Sequence, residues 1–163
     1  MTIRITPFHP SQWKLYRELR LAALKDSPEA YASSYAQEIQ LDDTVWKNKL
    51  ELAANLSNRV ALLANLQSNP SGLVWGIIDQ ELSDSVNVYQ LWVDPKFRRQ
   101  GIARALIDNL CAWARKYGTS YLALEVAMEN QTAVSFYENY GFTIVTITDP
   151  ELYAMRYKIA EDT

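Results

Sequence analysis

The stretch from residue 86 to residue 126 constrains the fold of this chain more than any other part of its sequence. Residues 86–93 alternate apolar and polar side chains and then become continuously apolar, which is typical of a sheet strand. Residues 101–117 place apolar side chains at helical spacing, and Gly118 follows where a left-handed residue commonly ends a helix. Residues 121–126 are another apolar run of strand length. The stretch therefore predicts a β-α-β unit.

Shorter patterns on both sides of this unit predict the remaining elements. Those before it are a strand at 3–5, a helix capped by Ser11 that runs to Leu24, a helix at 43–56, and a hairpin of strands 59–64 and 73–78 with its turn at 68–72. Those after it are a helix from Asn130 that Gly141 ends, and strands at 142–147 and 152–159. The order β-α-α-β-β-β-α-β-α-β-β predicts an α/β (α+β) fold: a mixed, mostly antiparallel central sheet of about seven strands with helices on both faces.

Length and composition predict that residues 1–163 form a single folded domain. The chain is 48% hydrophobic and 21% charged, and glycine and proline are sparse, which is typical of a globular protein rather than a disordered one. A chain of 163 residues is long enough to bury a hydrophobic core without disulfides or a structural metal. We therefore expect no second domain.

Charge and residue usage exclude several classes of partner. The net charge of -3 removes the broad electrostatic attraction on which nonspecific nucleic-acid binding depends. The only cysteine, Cys111, and the only histidine, His9, provide neither an internal disulfide nor a set of zinc ligands. Residues 1–7 lack the basic and apolar segments of a leader, and no stretch approaches the roughly 20 apolar residues of a membrane span. We expect a metal-independent cytoplasmic protein without nucleic-acid or membrane partners.

The junction between the strand and the helix of the β-α-β unit is suited to a phosphate group. Residues 98–103 read Arg-Arg-Gln-Gly-Ile-Ala, so small side chains lie where unpaired N–H groups and the helix dipole favour an anion. Three arginines can add charge-assisted hydrogen bonds: Arg98, Arg99 and Arg104. From these residues alone, a plain helix start beside a solvated basic turn is an equally good interpretation. The glycine patterns of NTPases and nicotinamide enzymes are absent from the sequence.

Two motifs in the correct order resemble those of the GCN5-related N-acetyltransferase (GNAT) superfamily. Arg-Arg-Gln-Gly-Ile-Ala matches the family's Gln/Arg-x-x-Gly-x-Gly/Ala at a strand-to-helix junction. The segment 125–142 resembles the family's Asn-x-x-Ala-x-x-Phe-Tyr-x-x-x-Gly-Phe, matched by Asn130, Ala133, Phe136, Tyr137, Gly141 and Phe142. The resemblance implies the family's fold, acetyl-CoA as cosubstrate, and direct acetyl transfer in a ternary complex to a primary amine of a small molecule or of a peptide N-terminus.

The resemblance also implies a position for the cosubstrate. Main-chain amides of residues 99–104 would hold the pyrophosphate, and residues 91–93 would diverge from residues 121–126 to admit the pantetheine arm. Asn130 would contact the pantetheine, a role compatible with that of a helix N-cap. The implied cofactor-binding residues are Leu91, Trp92, Val93, Arg98, Arg99, Gln100, Gly101, Ile102, Ala103, Arg104, Asn130, Ala133, Phe136 and Tyr137.

Tyr137 matches the family's general acid, which meets the thiolate leaving group. The structural alternative is an aromatic core residue on a helix face. Because an ordinary tyrosine has a pKa near 10 and a thiol near 8.5, full proton transfer costs roughly 2 kcal/mol. Hydrogen bonding to the thiolate therefore matters as much as proton donation.

The sequence leaves the general base open. Glu125 matches the glutamate that acts as base in the family's ribosomal-protein N-terminal acetyltransferase branch. Its alternatives are a solvent-facing strand residue or the partner of an arginine. Other members use a glutamate on the preceding strand, where this chain has Asn87. The departure at Asn87 leaves Glu125 or a water chain as candidates.

The acceptor amine is not identified by the sequence. Glu29, Glu38 and the tyrosines at 31 and 35 fall where the family places its acceptor pocket, and the acidic residues favour a cationic acceptor. A solvated loop with packing aromatics is the alternative. We interpret His9 as a surface residue and Cys111 as a packing residue rather than a nucleophile.

Two other functions stay open at this point. One is a noncatalytic acyl-CoA-binding or sensing module of the same fold. The other is a protein-interaction module in which the arginine-rich loop has no ligand. Failure to turn over bound acetyl-CoA would favour the first, and failure to bind it would favour the second. The sequence also does not decide between a monomer and a homodimer.

Overall fold

A computed structural model of the chain describes residues 2–28, 33–82 and 84–161. Its strands are β1 Ile3–Pro7, β2 Arg59–Leu66, β3 Asn69–Ile78, β4 Ser85–Val93, β5 Tyr121–Ala127, β6 Thr143–Asp149 and β7 Leu152–Lys158. Its α-helices are α1 Trp13–Asp26, α2 Tyr35–Glu38, α3 Asp43–Asn55, α4 Ile102–Lys116 and α5 Gln131–Tyr140. Short 3₁₀ turns at Pro10–Gln12 and Pro95–Phe97 precede α1 and α4. Within the described ranges, no helix has the length and apolarity of a membrane span.

The strands form one mixed sheet, as the sequence predicts. Their order across the sheet is β1-β2-β3-β4-β5-β7-β6. β4 and β5 run parallel, whereas the other neighbouring pairs in the described sheet are antiparallel. The parallel pair is the one joined through α4, because a parallel connection needs a crossover long enough to hold a helix.

Helices cover both faces of the sheet, and successive side chains of β2 are buried in the core on one face and then in the core on the other. Val60 and Leu62 belong to a cluster that includes the apolar side of α4, with Leu106 and Leu110 fully buried. Ala61 and Leu63, on the opposite face, pack with residues of α1 and α3. The face formed with α1 and α3 is aromatic, and its central residues are Tyr16, Trp46 and Trp75.

The predicted cap of the first helix is wrong. Ser11 lies inside the 3₁₀ turn, and it is His9 whose ring Nδ1 accepts a hydrogen bond from the Ser11 N–H at 3.1 Å. Gln12 completes this box, since its Oε1 accepts from the His9 N–H at 2.8 Å. Pro10 explains the shift, because a proline is favoured in the first position of a helical turn, where its missing N–H needs no partner.

The predicted hairpin turn at 68–72 is also displaced. The turn consists of Gln67 and Ser68, with φ of 49° and 70°, and residues 69–72 are already part of β3. Two successive left-handed residues make the tight turn that best matches strand twist. Gly72 serves a close approach instead, because a Cβ there would lie 2.6 Å from the Trp92 carbonyl oxygen.

The short helix α2 is absent from the predicted order. Ser34 caps it by accepting a hydrogen bond from the Gln37 N–H at 3.2 Å, and Gln37 Oε1 accepts from the Ser34 N–H at 3.3 Å. This reciprocal cap stabilises a single turn that is too short to show helical periodicity.

Candidate functional site

The strands β4 and β5 diverge halfway along their length. They pair at only three positions among the described residues, Ser85 with Tyr121, Val86 with Leu122, and Asn87 with Ala123. Beyond this point β4 continues to Val93 and β5 to Ala127 without pairing to each other. The predicted divergence at residues 91–93 is therefore confirmed, and it opens a cleft in the middle of the sheet.

A β-bulge at Gln90 bends β4 where the cleft opens. Trp75 of β3 opposes Tyr89 while Leu73 opposes Trp92, so β4 has one residue more than β3 across this interval. Gln90 is left-handed, with φ of 58°, and its side-chain Oε1 accepts a hydrogen bond from the Tyr16 hydroxyl at 2.9 Å. Bulges of this kind re-aim side chains beside functional sites. Sequence reasoning missed Gln90, although the change from alternation to a continuous apolar run at this position was its signal.

The loop after β4 ends in a set of main-chain N–H groups at the start of α4. Asp94 caps the 3₁₀ turn by accepting from the Lys96 N–H at 3.0 Å. Arg99 and Gly101 are left-handed, with φ of 64° and 85°. A Cβ on Gly101 would meet nothing within 4 Å, so backbone conformation rather than space favours glycine there. The first N–H groups of α4 have no acceptor within the helix, and this arrangement suits an anion.

The three arginines near this loop differ in their surroundings. The Arg98 guanidinium donates from Nε to the Val93 carbonyl oxygen at 2.9 Å and from Nη2 to Asp26 Oδ2 at 2.5 Å. The Arg104 guanidinium lies 5.0 Å from the centre of the Tyr140 ring. Arg99 is exposed. The structure therefore joins Arg98 to protein groups, while Arg99 and Arg104 lie on the surface around the helix start.

Gln100 adds an unpaired acceptor to the loop. Its side-chain Oε1 is buried and has no hydrogen-bond partner among the described residues. Buried polar atoms normally find a partner, so this oxygen is an acceptor in the loop that a donor from water or a bound molecule could satisfy. An amide N–H of a bound molecule has the required chemistry.

Helix α5 brings Asn130 and Tyr137 to the same side of the sheet as α4. Asn130 is its N-cap, since Oδ1 accepts from the Ala133 N–H at 3.2 Å, so the predicted cap is confirmed. Tyr137 is half-buried, and its ring centre lies 5.4 Å from that of Phe136 and 5.3 Å from that of Phe142. Packing fixes the ring of Tyr137 while part of the side chain stays accessible.

Glu125 lies exposed on β5, on the strand that forms one wall of the cleft. It stands opposite Ala154 of β7, and its Oε2 accepts a hydrogen bond from the Thr148 hydroxyl at 2.6 Å. The arginine partner that the sequence left open is not found among the described ion pairs. Asn87 is engaged elsewhere, because its Nδ2 donates to Asp79 Oδ2 at 2.9 Å.

The predicted acceptor residue Glu38 is buried in an ion pair. Its carboxylate accepts from Arg20 at two points, 3.1 Å at Nε and 2.9 Å at Nη2, and the two side chains are 8% and 6% exposed. Burial alone would raise the pKa of Glu38, but the hydrogen bonds and charge of Arg20 outweigh it and leave the pKa below its ordinary value. Glu38 is thus neither an open amine-binding group nor part of a solvated loop. Glu29 and Tyr31 lie outside the described residues.

The surroundings of Cys111 decide between a packing role and a nucleophilic one. Cys111 is 5% exposed, its Sγ lies 3.7 Å from the Tyr140 hydroxyl, and burial raises its pKa. This environment confirms the predicted packing role, since a nucleophilic cysteine requires a lowered pKa. Over residues 2–28, 33–82 and 84–161, no three His, Cys, Asp or Glu side chains gather in a way that could hold a metal ion.

Known proteins resemble this chain in both sequence and fold. The sequence model of the Acetyltransferase (GNAT) family matches residues 15–142. The ribosomal protein bS18-alanine N-acetyltransferase of Escherichia coli (strain K12) is 35% identical over 92 residues, which are 56% of this chain and 62% of that protein. The chain thus spans about three fifths of that relative's length.

Solved structures extend the likeness over nearly the whole chain. An acetyltransferase of the GNAT family from Streptococcus pneumoniae has a TM-score of 0.80 at 21% identity, covering 97% of this chain and 100% of that one. The PaiA N-acetyltransferase from Thermoplasma acidophilum, in complex with coenzyme A, has a TM-score of 0.81 at 20% identity, covering 97% and 99%. At this identity the two structures show a shared fold.

Proposed function

Because the chain belongs to the acetyltransferase (GNAT) family, we propose that it transfers the acetyl group of acetyl-CoA directly to a primary amine in a ternary complex. The observation that carries the proposal is the divergence of β4 and β5 directly before the N–H groups at the start of α4. A cleft between two diverging strands that ends at an anion site suits a long amide-containing arm attached to a pyrophosphate. The family match over residues 15–142 supports a single domain for residues 1–163.

The loop and the cleft divide the cosubstrate between them in this proposal. Amides of residues 99–104 bind the pyrophosphate, and the pantetheine arm lies along residues 91–93 of β4, in the place of a neighbouring strand. Gln100 Oε1 is an acceptor for an N–H of that arm, which would satisfy a buried atom that has no partner among the described residues. Asn130 lies at the start of α5, shortly after the end of β5, which forms one wall of the cleft.

Acetyl transfer needs a base for the attacking amine and an acid for the leaving thiolate. The amine nitrogen attacks the acetyl carbonyl carbon and forms the C–N bond while its proton passes to Glu125, directly or through water. The tetrahedral intermediate then collapses, the C–S bond breaks, and the thiolate receives a hydrogen bond or a proton from the Tyr137 hydroxyl. Glu125 therefore acts on the attacking nitrogen and Tyr137 on the departing sulfur, so each group has one role in the reaction.

We propose an α-amine, such as a peptide N-terminus, as the acceptor in preference to an alkylamine. Deprotonating an α-amine with a pKa near 7.8 costs about 1 kcal/mol at pH 7, whereas an alkylamine near 10.4 costs roughly 4 to 5. The bacterial relative is named for action on an alanine of a ribosomal protein. Glu38, the acidic group predicted to favour a cationic acceptor, is already paired with Arg20.

Calorimetric titration with acetyl-CoA tests the proposal, with Gly101→Glu as the variant that should lose binding. A matched control exists at the other end of α4, because Gly118 is also left-handed, with φ of 74°, and also has nothing within 4 Å of an added Cβ. Gly118→Glu should therefore retain binding. A panel of α-amines and alkylamines on the same sample then measures turnover. Binding without turnover across the panel would replace the enzyme with a noncatalytic acyl-CoA-binding module.

A further inference from the structure

We propose that Asp26 is a positioning residue for the acetyl-CoA site, and that Arg98 links the cofactor loop to Asp26 instead of binding phosphate. Asp26 is the last residue of α1, and Arg98 is the first residue of the loop motif. The two are separated by 72 residues in the chain. The inference rests on the proposed use of acetyl-CoA.

One carboxylate oxygen of Asp26 receives donors from three places in the chain. Oδ2 accepts from Arg98 Nη2 at 2.5 Å, from the Trp92 indole N–H at 3.0 Å and from the Ser27 hydroxyl at 3.0 Å. Arg98 also donates from Nε to the carbonyl oxygen of Val93 at 2.9 Å. The end of α1, the end of β4 and the start of the loop are therefore held at one point.

The geometry of Arg98 favours this linking role. A guanidinium presents its donors in a fixed fork, so engaging Nε and Nη2 on two protein acceptors defines its plane. The next residues, Arg99 and Gly101, both adopt left-handed conformations. A loop of this shape presents its N–H groups reproducibly only if its first residue is anchored.

Electrostatics provides an independent argument. A carboxylate next to a site for a pyrophosphate repels the ligand, so on charge alone Asp26 is unfavourable there. Its side chain is 27% exposed and that of Arg98 is 45% exposed, and an ion pair this accessible adds little stability by itself. The buried Trp92, 5% exposed, instead obtains from Asp26 an acceptor for its indole N–H. Its contacts are therefore better explained by a role in holding Trp92 and Arg98 in place than by its charge.

Helix α1 braces the diverging part of β4 at a second point. Tyr16, on the same helix, donates its hydroxyl proton to Gln90 at the bulge. The two contacts, at Gln90 and at Trp92, bracket the residue Leu91 of the cleft wall. Loss of Asp26 should therefore loosen the end of β4 together with the loop.

The sign of the effect of Asp26→Asn on acetyl-CoA affinity tests the proposal. Removing a negative charge beside a polyanion would tighten binding if charge alone mattered. A neutral amide oxygen holds the Arg98 guanidinium more weakly than a carboxylate does, so the loosened anchor should weaken binding about tenfold. Glu18→Gln is the matched control, since it removes the same charge from an exposed position of α1. The measurement is the Kd of acetyl-CoA by calorimetry on samples that circular dichroism shows to be folded. An Asp26→Asn variant that binds as tightly as wild type, or more tightly, would overturn the inference.

Two Arg98 variants separate anchoring from phosphate binding. A phosphate ligand tolerates Arg98→Lys, but a lysine cannot span Val93 and Asp26 at once, so we expect Arg98→Lys to weaken binding as much as Arg98→Gln. The double variant Asp26→Asn/Arg98→Gln should bind no more weakly than Arg98→Gln, because the two residues act as one unit.

The outcomes distinguish this inference from the proposed function. A wild-type protein that fails to bind acetyl-CoA overturns the proposed function and this inference with it. Acetyl-CoA binding by the wild type together with full affinity in Arg98→Lys overturns only the positioning role and returns Arg98 to the phosphate.

Discussion

Single side chains near the cleft serve packing and candidate chemistry at the same time. Tyr137 is held between Phe136 and Phe142, and the same packing would orient its hydroxyl for an acid role. Asn130 caps α5, and the family motif implies that the same side chain contacts the ligand. A residue with a structural role is therefore not excluded from a functional one, and substitutions must be chosen to separate the two.

Tyr137→Phe removes only the hydroxyl and should lower kcat by about 100-fold, because the leaving thiolate loses its hydrogen-bond donor. The Kd of acetyl-CoA should stay within about twofold of wild type, since ring packing is preserved. Tyr140→Phe is the control on the same helix: its hydroxyl donates to Asp108 at 2.7 Å, so its loss should cost about 1 kcal/mol of stability and leave kcat unchanged. A fully active Tyr137→Phe enzyme would remove Tyr137 from the acid role.

Glu125→Gln should lower kcat/KM for an α-amine at neutral pH, because the attacking amine loses its proton acceptor. The deficit should shrink as pH rises past about 8, where solvent supplies the free amine. Steady-state kinetics across this pH range measure the effect, with the exposed Glu129→Gln as control. A deficit that stays constant with pH would argue against a base.

At the scale of elements, the contact of α4 with the sheet is controlled by glycine. Gly76 of β3 faces Leu110 of α4, and a Cβ there would lie 2.5 Å from Leu110 Cδ1 and 3.0 Å from Val86 Cγ1. Leu110 and Val86 are fully buried, so neither can move away into solvent. The helix that begins at the proposed pyrophosphate site is thus seated by close packing in its middle.

Gly76→Ala should lower the free energy of unfolding by about 1 to 3 kcal/mol, the usual range for overpacking a tight core. Urea denaturation measures it as a shift of the midpoint. Gly118→Ala is a useful comparison, because its added Cβ has open space and only the backbone conformation is strained. Equal midpoints for Gly76→Ala and wild type would mean that α4 adjusts without cost.

At the scale of the whole molecule, the buried ion pair of Arg20 and Glu38 joins α1 to α2, whose last residue is Glu38. Glu38→Gln should destabilise the protein by about 3 to 5 kcal/mol, because the buried Arg20 loses the carboxylate that balances its charge. Arg20→Met/Glu38→Leu removes both charges and should recover most of that loss. Thermal or urea unfolding of the two variants provides the comparison, and a double variant no more stable than Glu38→Gln would contradict this account.

The free energy of unfolding at acidic pH should also depend on the ion pair of Arg20 and Glu38. The folded pKa of Glu38 lies below its ordinary value of 4.5, so its contribution to stability is complete above that value and is lost as pH falls through the lowered pKa. The difference in unfolding free energy between wild type and Glu38→Gln should therefore narrow as pH falls below about 4.5. A difference that does not change with pH would mean that Glu38 has the same pKa in the folded and the unfolded protein.

Local patterns in the sequence determined much of the architecture of this protein. The helix from residue 102 to 116, its left-handed end at Gly118 and the cap at Asn130 depend on residues a few positions apart, which periodicity and capping chemistry can predict. The failures were also local: Pro10 moved a cap to His9, and two left-handed residues, Gln67 and Ser68, closed a hairpin earlier than its proline and glycine suggested.

Tertiary structure alone decided the contacts that organise the candidate site. Asp26 and Arg98 are 72 residues apart, and Tyr16 and Gln90 are 74 apart, so no local pattern connects them. Glu38 could be interpreted as an acceptor ligand until the fold placed it beside Arg20. The physical reason is that periodicity reports which face of an element is buried, whereas the partner of a polar side chain depends on which elements the whole chain brings together.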